Sequence, residues 1–248
     1  MTKRKSKRKL RKETKILAFA ILFLVLLIAG LVIFQIVSEK NKQGRDIVIV
    51  LDNAHGGDAS GIQGIVSEDE YNEKVIDLLY AKLENVPGYR VIRTHQDGQA
   101  MAVSTRVQVI NDAHADLVLS VRCHDGMSPN VKQTMIYAQP ATFKTHGDSV
   151  AFARLIEEGF GSLSVPCFSG YFYNHPIKAG YYQERIVGLD DETDYGEETY
   201  ELMGANAPVV IVSSFNVNSQ EEADIWTSEE GYENAVEVYN KAIRNMFK

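Results

Sequence analysis

Cysteine is scarce in this chain. Cys123 and Cys167 are the only two in 248 residues, which excludes both a disulfide framework and a Cys-rich zinc ribbon. Their spacing does not say whether they pair with each other. Positive charge is outnumbered by negative beyond the first fifteen residues. The whole chain carries 26 Lys and Arg against 33 Asp and Glu, and without its amino-terminal tail the balance is 17 against 32, a net −15. So acidic a portion makes a poor binder of nucleic acid or anionic lipid, and its ligand is expected to be neutral, cationic or recognised by shape. Internal repeats and low-complexity tracts are absent outside the tail.

What is present begins with Lys3 to Lys15, nine basic residues and one acid, Glu13. They run directly into Ile16 to Val37, apolar except for Gly30 and Gln35. At about 1.5 Å of rise per helical residue this stretch reaches roughly 33 Å, enough for the hydrocarbon core of a bilayer. No small-x-small cleavage site accompanies it, so a retained anchor is expected rather than a removed signal. Basic flanks stay in the cytoplasm. The expected layout is a cytoplasmic tail over 1–15, a transmembrane helix over 16–37, a polar linker over 38–45 and an extracytoplasmic domain over 46–248, placed at the cell membrane by a single crossing.

The last 200 or so residues can bury a core without staples and most simply form one domain. Their hydrophobic period alternates. Strands are expected at Asp46 to Leu51, Tyr89 to Thr94, Asp116 to Cys123, Gln133 to Ala138 and Pro208 to Ser213, and helices at about Glu68 to Asn85, Ala102 to His114, Asp148 to Phe160 and Gln220 to Met246. An aromatic and acidic insertion occupies 162–206. Alternation of this kind predicts an α/β fold with a mainly parallel central sheet flanked by helices. Ser67-x-x-Glu70 reads as a capping box for the first helix.

The first strand, Ile47 to Leu51, ends in Asp52-Asn53-Ala54-His55-Gly56-Gly57, and Glu68 follows thirteen residues after the His. A glycine-rich turn at the carboxyl end of a buried strand is where α/β proteins build sites. A carboxylate further on offers a metal a second ligand.

With these elements in place the chain resembles the zinc-dependent N-acetylmuramoyl-L-alanine amidases of the type 3 family, which cut the bond between glycan and stem peptide in peptidoglycan. The family's strand followed by Asp-Pro-Gly-His-Gly-Gly corresponds to Asp52 to Gly57, and its Glu four residues before an Asn to Glu68 and Asn72. Thr94 to Asp97 resembles its Thr-Arg-x-x-Asp, and Arg106 and Asn111 its next Arg and Asn. The likeness continues through Ala115 to Val121, Pro208 to Val212, and Glu221 and Glu222. It implies zinc as cofactor and peptidoglycan as partner.

Two departures stand out against it. Where the family's third strand supplies a zinc-ligand His, this chain has Arg122, in Ser120-Val121-Arg122-Cys123-His124; where its last strand supplies a catalytic Glu, this chain has Ser213. A guanidinium about 4 Å from a dication would meet repulsion of order 8 kcal/mol at an effective dielectric near 20. Arg122 and His124 share one side of an extended strand, so a bulge could bring His124 to the metal while Arg122 swings away. Alternatively Arg122 pairs with Glu68 and an ion pair replaces the metal. Ser213 is too weak a base to stand in for a carboxylate without an activating neighbour, and Asp125 is either a recruited acid or a solvated turn residue.

The candidate metal set is therefore His55, Glu68 and His124. Asn72, Arg122 and Ser213 are the candidate substrate-binding residues, and no catalytic residue is assigned. Cys123 alternates toward the core. His95, His114, His146 and His175 read as turn or helix-end residues. Tyr171-Phe172-Tyr173 and Tyr181-Tyr182 either line a cleft for sugar or peptide or seal the core, and the acids from Asp190 to Glu201 read as a solvated loop. Two functions follow: a zinc-dependent amidase with a rearranged site, or a pseudoenzyme that binds peptidoglycan or regulates without cutting it.

Overall fold

Alternating β and α segments give the computed structural model its single mixed sheet, described for residues 21, 23–33, 44–125, 134–178, 181–189, 194–197 and 202–248. The elements in chain order are β1 (Ile47–Asp52), α1 (Glu68–Leu83), β2 (Tyr89–Arg93), α2 (Val103–Asp112), β3 (Leu117–His124), β4 (Thr134–Ala138), α3 (His146–Ser162), β5 (Cys167–Lys178), β6 (Tyr181–Gly188), β7 (Asp194–Glu197), β8 (Val209–Asn216), α4 (Gln220–Trp226) and α5 (Glu229–Met246). The chain divides into two units, Met1–Asp46 and Ile47–Lys248.

The eight strands lie in the order β2-β1-β3-β8-β4-β5-β6-β7. Parallel pairing joins β1 to β2 and β3, β3 to β8, and β4 to β5. The expectation of a mainly parallel sheet is corrected, because β4 runs antiparallel to β8 and the β5-β6-β7 edge is antiparallel throughout. The insertion causes most of this difference. Only two residues separate β5 from β6, and so short a connection joins antiparallel strands, whereas a parallel pair needs a crossover.

Each face of the sheet has its own apolar layer. On one, Leu51, Leu119, Val121 and Val212 pack against Val75 and Leu79 of α1, Phe152 and Phe160 of α3 and Tyr239 and Ile243 of α5. On the other, Val50, Val118 and Ile211 pack against Ile110 of α2 and Leu202 to Ala207. The parity of the strands decides which side chains go where: Asp52, Ser120, Arg122 and Ser213 follow the α2 face, and Cys123 follows the α1 face.

Two local expectations change. Ser67 precedes α1 with extended backbone but makes no side-chain cap; its hydroxyl is engaged with the Asp69 carboxylate instead. The last helix breaks into α4 and α5, because Ser228 starts a new helix by accepting the Gly231 N–H at 2.9 Å. Gly231 faces the Ile225 carbonyl so closely that no side chain fits there.

Ten of the 22 residues of the predicted membrane span over 16–37 lie outside the described residues, as do the basic tail and most of the linker. Ile21 and Phe23–Ile33 are helical, with Phe23, Leu26 and Ile33 more than half exposed. Among the described residues no helix is long and apolar enough to cross a membrane.

Candidate functional site

The site begins with a buried carboxylate. Asp52 ends β1 with no exposed surface, and its two oxygens accept from Arg106 Nη1 at 3.0 and 2.8 Å, from Thr94 Oγ1 at 2.7 Å, from Ser120 Oγ at 2.7 Å and from the Ala54 N–H at 3.3 Å. A buried charge persists only when it is paired and its remaining lone pairs are filled, and both conditions hold here. The strand is thereby forced into a turn at Ala54, whose φ of 45° is left-handed. Beyond it the chain needs its two glycines. A Cβ on Gly56 would lie 2.7 Å from the Gln99 carbonyl oxygen, and one on Gly57, at φ 58°, 2.7 Å from that of Gly98.

His95, in the bend that follows β2 as expected of a turn residue, also joins this network. The Thr94 hydroxyl donates to Asp52, which can only accept, so its oxygen is left to accept from Nδ1–H of His95 at 2.9 Å. His95 Nε2 lies 3.5 Å from the His55 carbonyl oxygen, and that oxygen accepts from Asn53 Nδ2 at 3.3 Å. Thr94 and His95 are buried. Thr94 opens the Thr94 to Asp97 stretch that resembles the family motif, whereas His95 carried no signal beyond its place after the second strand.

The turn delivers His55 to Glu68. His55 Nε2 lies 3.5 Å from Glu68 Oε2, and the Glu68 side chain is only 1% exposed. The carboxylate is fixed by two backbone amides: Cys123 N donates to Oε1 at 2.8 Å and Ile62 N to Oε2 at 2.9 Å. Gly61, at φ 72°, closes over the pair, and a Cβ there would collide with Glu68 Oε2 and approach the His55 ring to 2.8 Å.

The two departures from the family pattern face each other. Arg122 is the register partner of Ser213 across β3 and β8, and the register then shifts so that His124 lies opposite Asn216, an extra residue standing in β8. Ser213 is 2% exposed and Asn72 is fully buried, so in this arrangement neither of these candidate substrate-binding residues offers its side chain to solvent. Asn72 Oδ1 instead lies 3.9 Å from Cys123 Sγ. Burial, and after it the Glu68 carboxylate, push the Cys123 thiol well above its ordinary pKa, so it stays a neutral packing group.

Zinc can be tested against these donors. Zinc bonds of about 2.0–2.2 Å in tetrahedral geometry put two ligand atoms roughly 3.3–3.6 Å apart, and the His55 and Glu68 atoms meet that spacing at 3.5 Å. A catalytic zinc takes three protein ligands. Among the described residues no three of His, Cys, Asp and Glu come together to hold a metal, so His124 does not complete a group with His55 and Glu68. The donor set fits two thirds of a zinc centre and stops there.

A parallel sheet core thus carries a His and a Glu at its carboxyl edge, anchored by a buried Asp–Arg pair. The family signature described as N-acetylmuramoyl-L-alanine amidase matches residues 49–245, and the chain belongs to that family. Solved structures share the fold. The catalytic domain of CwlV, an N-acetylmuramoyl-L-alanine amidase from Bacillus (Paenibacillus) polymyxa var. colistinus, aligns with a TM-score of 0.63 at 17% identity over 80% of this chain and 97% of that one. The N-acetylmuramoyl-L-alanine amidase of Clostridium difficile 630 gives 0.64 at 15% over 82% and 97%, and Ami1 of Mycobacterium smegmatis 0.61 at 15% over 82% and 97%. No curated protein sequence matches the chain.

Proposed function

We propose that this chain is a membrane-anchored member of the amidase family that holds peptidoglycan in the family's cleft without cutting it. The observation that carries the reading is the facing pair Arg122 and Ser213. The position expected to give the third zinc ligand and the position expected to give the catalytic carboxylate are direct cross-strand neighbours, and both have changed. Metal-assisted amide hydrolysis needs a polarised carbonyl, an activated water and a group to move its proton. A cation and a buried hydroxyl at those two points supply neither the ligand nor the base. His55 and Glu68 remain in place, His55 on the turn tied to Asp52 through the Ala54 amide and Glu68 on the amides of Ile62 and Cys123.

The amino-terminal segment gives this reading its address: nine basic residues before a long apolar run hold the tail in the cytoplasm and the domain outside, next to the wall.

The 3.5 Å spacing of His55 and Glu68 favours one second reading, a zinc amidase whose third ligand is His124. Restoration separates the two. Arg122→His returns a ligand and Ser213→Glu returns a carboxylate, and neither alone activates water well. The double variant is expected to release stem peptides from muropeptides faster than either single variant or the parent, with bound zinc rising toward one per chain. A parent that already holds one zinc per chain, loses it on His124→Ala and cuts muropeptides would establish the second reading.

A further inference from the structure

α1 carries Glu68 at its start and further along lines a groove that shares no residue with the site. Lys74, Leu78 and Lys82 stand four residues apart, on one stripe of the helix. They face Glu229, Tyr232, Glu233 and Val236 of α5 across a cavity of about 490 Å³, and cavities of roughly 300–1,000 Å³ are the size that holds small ligands. The floor is apolar and fixed: Val236 is 1% exposed, and the Tyr232 ring stacks on the buried Tyr71 ring with centroids 5.5 Å apart. The walls carry opposite charge, Lys on α1 and Glu on α5. Tyr71 meeting Tyr232 and Lys82 meeting Glu237 show that the two helices run the same way along the groove. Its two ends differ. At the far end Lys82 Nζ lies 3.3 Å from Glu237 Oε2 and 3.8 Å from Glu233 Oε1, so the charges there are matched within the protein. At the near end Lys74 and Glu229 are both exposed, and among the described residues neither takes part in an ion pair.

Opposite charges left unmatched on two walls, with an apolar floor between them, suit a molecule that carries both charges on a short apolar body. We propose that the α1–α5 groove binds a short peptide with both termini free, its carboxylate on Lys74, its ammonium on Glu229 and its side chains over Leu78, Tyr232 and Val236. The lengths agree. Helices in contact lie about 8–10 Å apart, and three extended residues reach about 10 Å, so a tripeptide spans the walls. A peptide joined to another group through its amino terminus has an amide there and no ammonium. Hydrolysis adds water across that C–N bond, leaves a carboxylate on the group removed and frees an amine, which takes up a proton. On the proposed wall-facing reading, the source is the stem peptide that an active amidase has already released, and the groove tells it from one still attached to glycan. A free peptide of any other origin has the same termini.

The test titrates the full chain in detergent micelles with the tripeptide Ala-Leu-Ala and follows the Tyr232 ring and Leu78 methyl signals by NMR. A saturable shift is expected. Lys74→Gln should weaken binding about three- to fivefold, the size of one exposed ion pair, and leave binding of the C-amidated tripeptide unchanged. Glu229→Gln should weaken the free peptide to the same degree and leave the N-acetylated one unchanged. Competition separates the sources: stem peptide freed from sacculi by an active amidase should displace the tripeptide, and the same peptide still joined to muramic acid should not. A tripeptide that binds but is not displaced by freed stem peptide would assign the groove to peptides from elsewhere than the wall. No saturable shift, or variants that weaken free and blocked peptides alike, would overturn the proposal. Neither result bears on whether the chain holds sacculi, which sedimentation measures separately.

Discussion

Asp52 sets the geometry of the site, because four donors make five hydrogen bonds to its carboxylate in a place water does not reach. Asp52→Asn leaves the Arg106 guanidinium buried without its counter-charge, and removing one partner of a buried pair typically costs about 3–5 kcal/mol. Urea unfolding should register a loss of that size, with the His55 turn loosened. Gly61 is a second single-residue test. Gly61→Ala places a methyl against Glu68 Oε2 and the His55 ring at a positive φ, so it should separate the pair and abolish any metal or ligand binding that depends on both. Titrating thiols give a third. Burial holds the Cys123 thiol well above its ordinary value of 9.0 and pushes Cys167 up to about 12. An unfolded chain therefore loses thiol protons near pH 9 that the folded chain keeps. Stability should be level below pH 9 and fall as the pH rises above it, as followed by thermal melts, and Cys123→Ala should flatten part of that fall.

Elements were legible in proportion to how far local pattern decides them. β1, β3 and β8 each open on an apolar run, and their sequence positions match the structure to within a residue or two at most ends; α1 starts at Glu68 as its periodicity predicts. The 162–206 stretch was less legible, since its acids and aromatics conceal three strands whose antiparallel pairing is a tertiary fact. A break at Thr227 and Ser228 was available in principle from a Ser followed by two acids. Ser228→Ala should remove the cap of α5 and cost about 1 kcal/mol in thermal or urea unfolding, a typical value for a lost cap. The candidate site divides the same way. His55 and Glu68 could be brought together by motif and spacing, whereas the involvement of His95 depends on β2 lying beside β1. The consequence of Arg122 and Ser213 depends on the β3–β8 register.

For the whole molecule, two opposed charge zones flank one apolar segment, and topology is the property to test. Protease added to intact spheroplasts should remove everything after the linker and spare the span; a protected domain would reverse the orientation and remove the wall from its reach. The proposal of a domain that holds the wall without cutting it rests on the family fold, the His55–Glu68 pair and the facing Arg122 and Ser213. The most direct measurement incubates the purified full-length chain with purified sacculi and follows, in one experiment, the protein that sediments with the wall and the stem peptides set free. Co-sedimentation with no released stem peptide, with or without added zinc, is the predicted result. Stem peptides released at an enzymatic rate would contradict it.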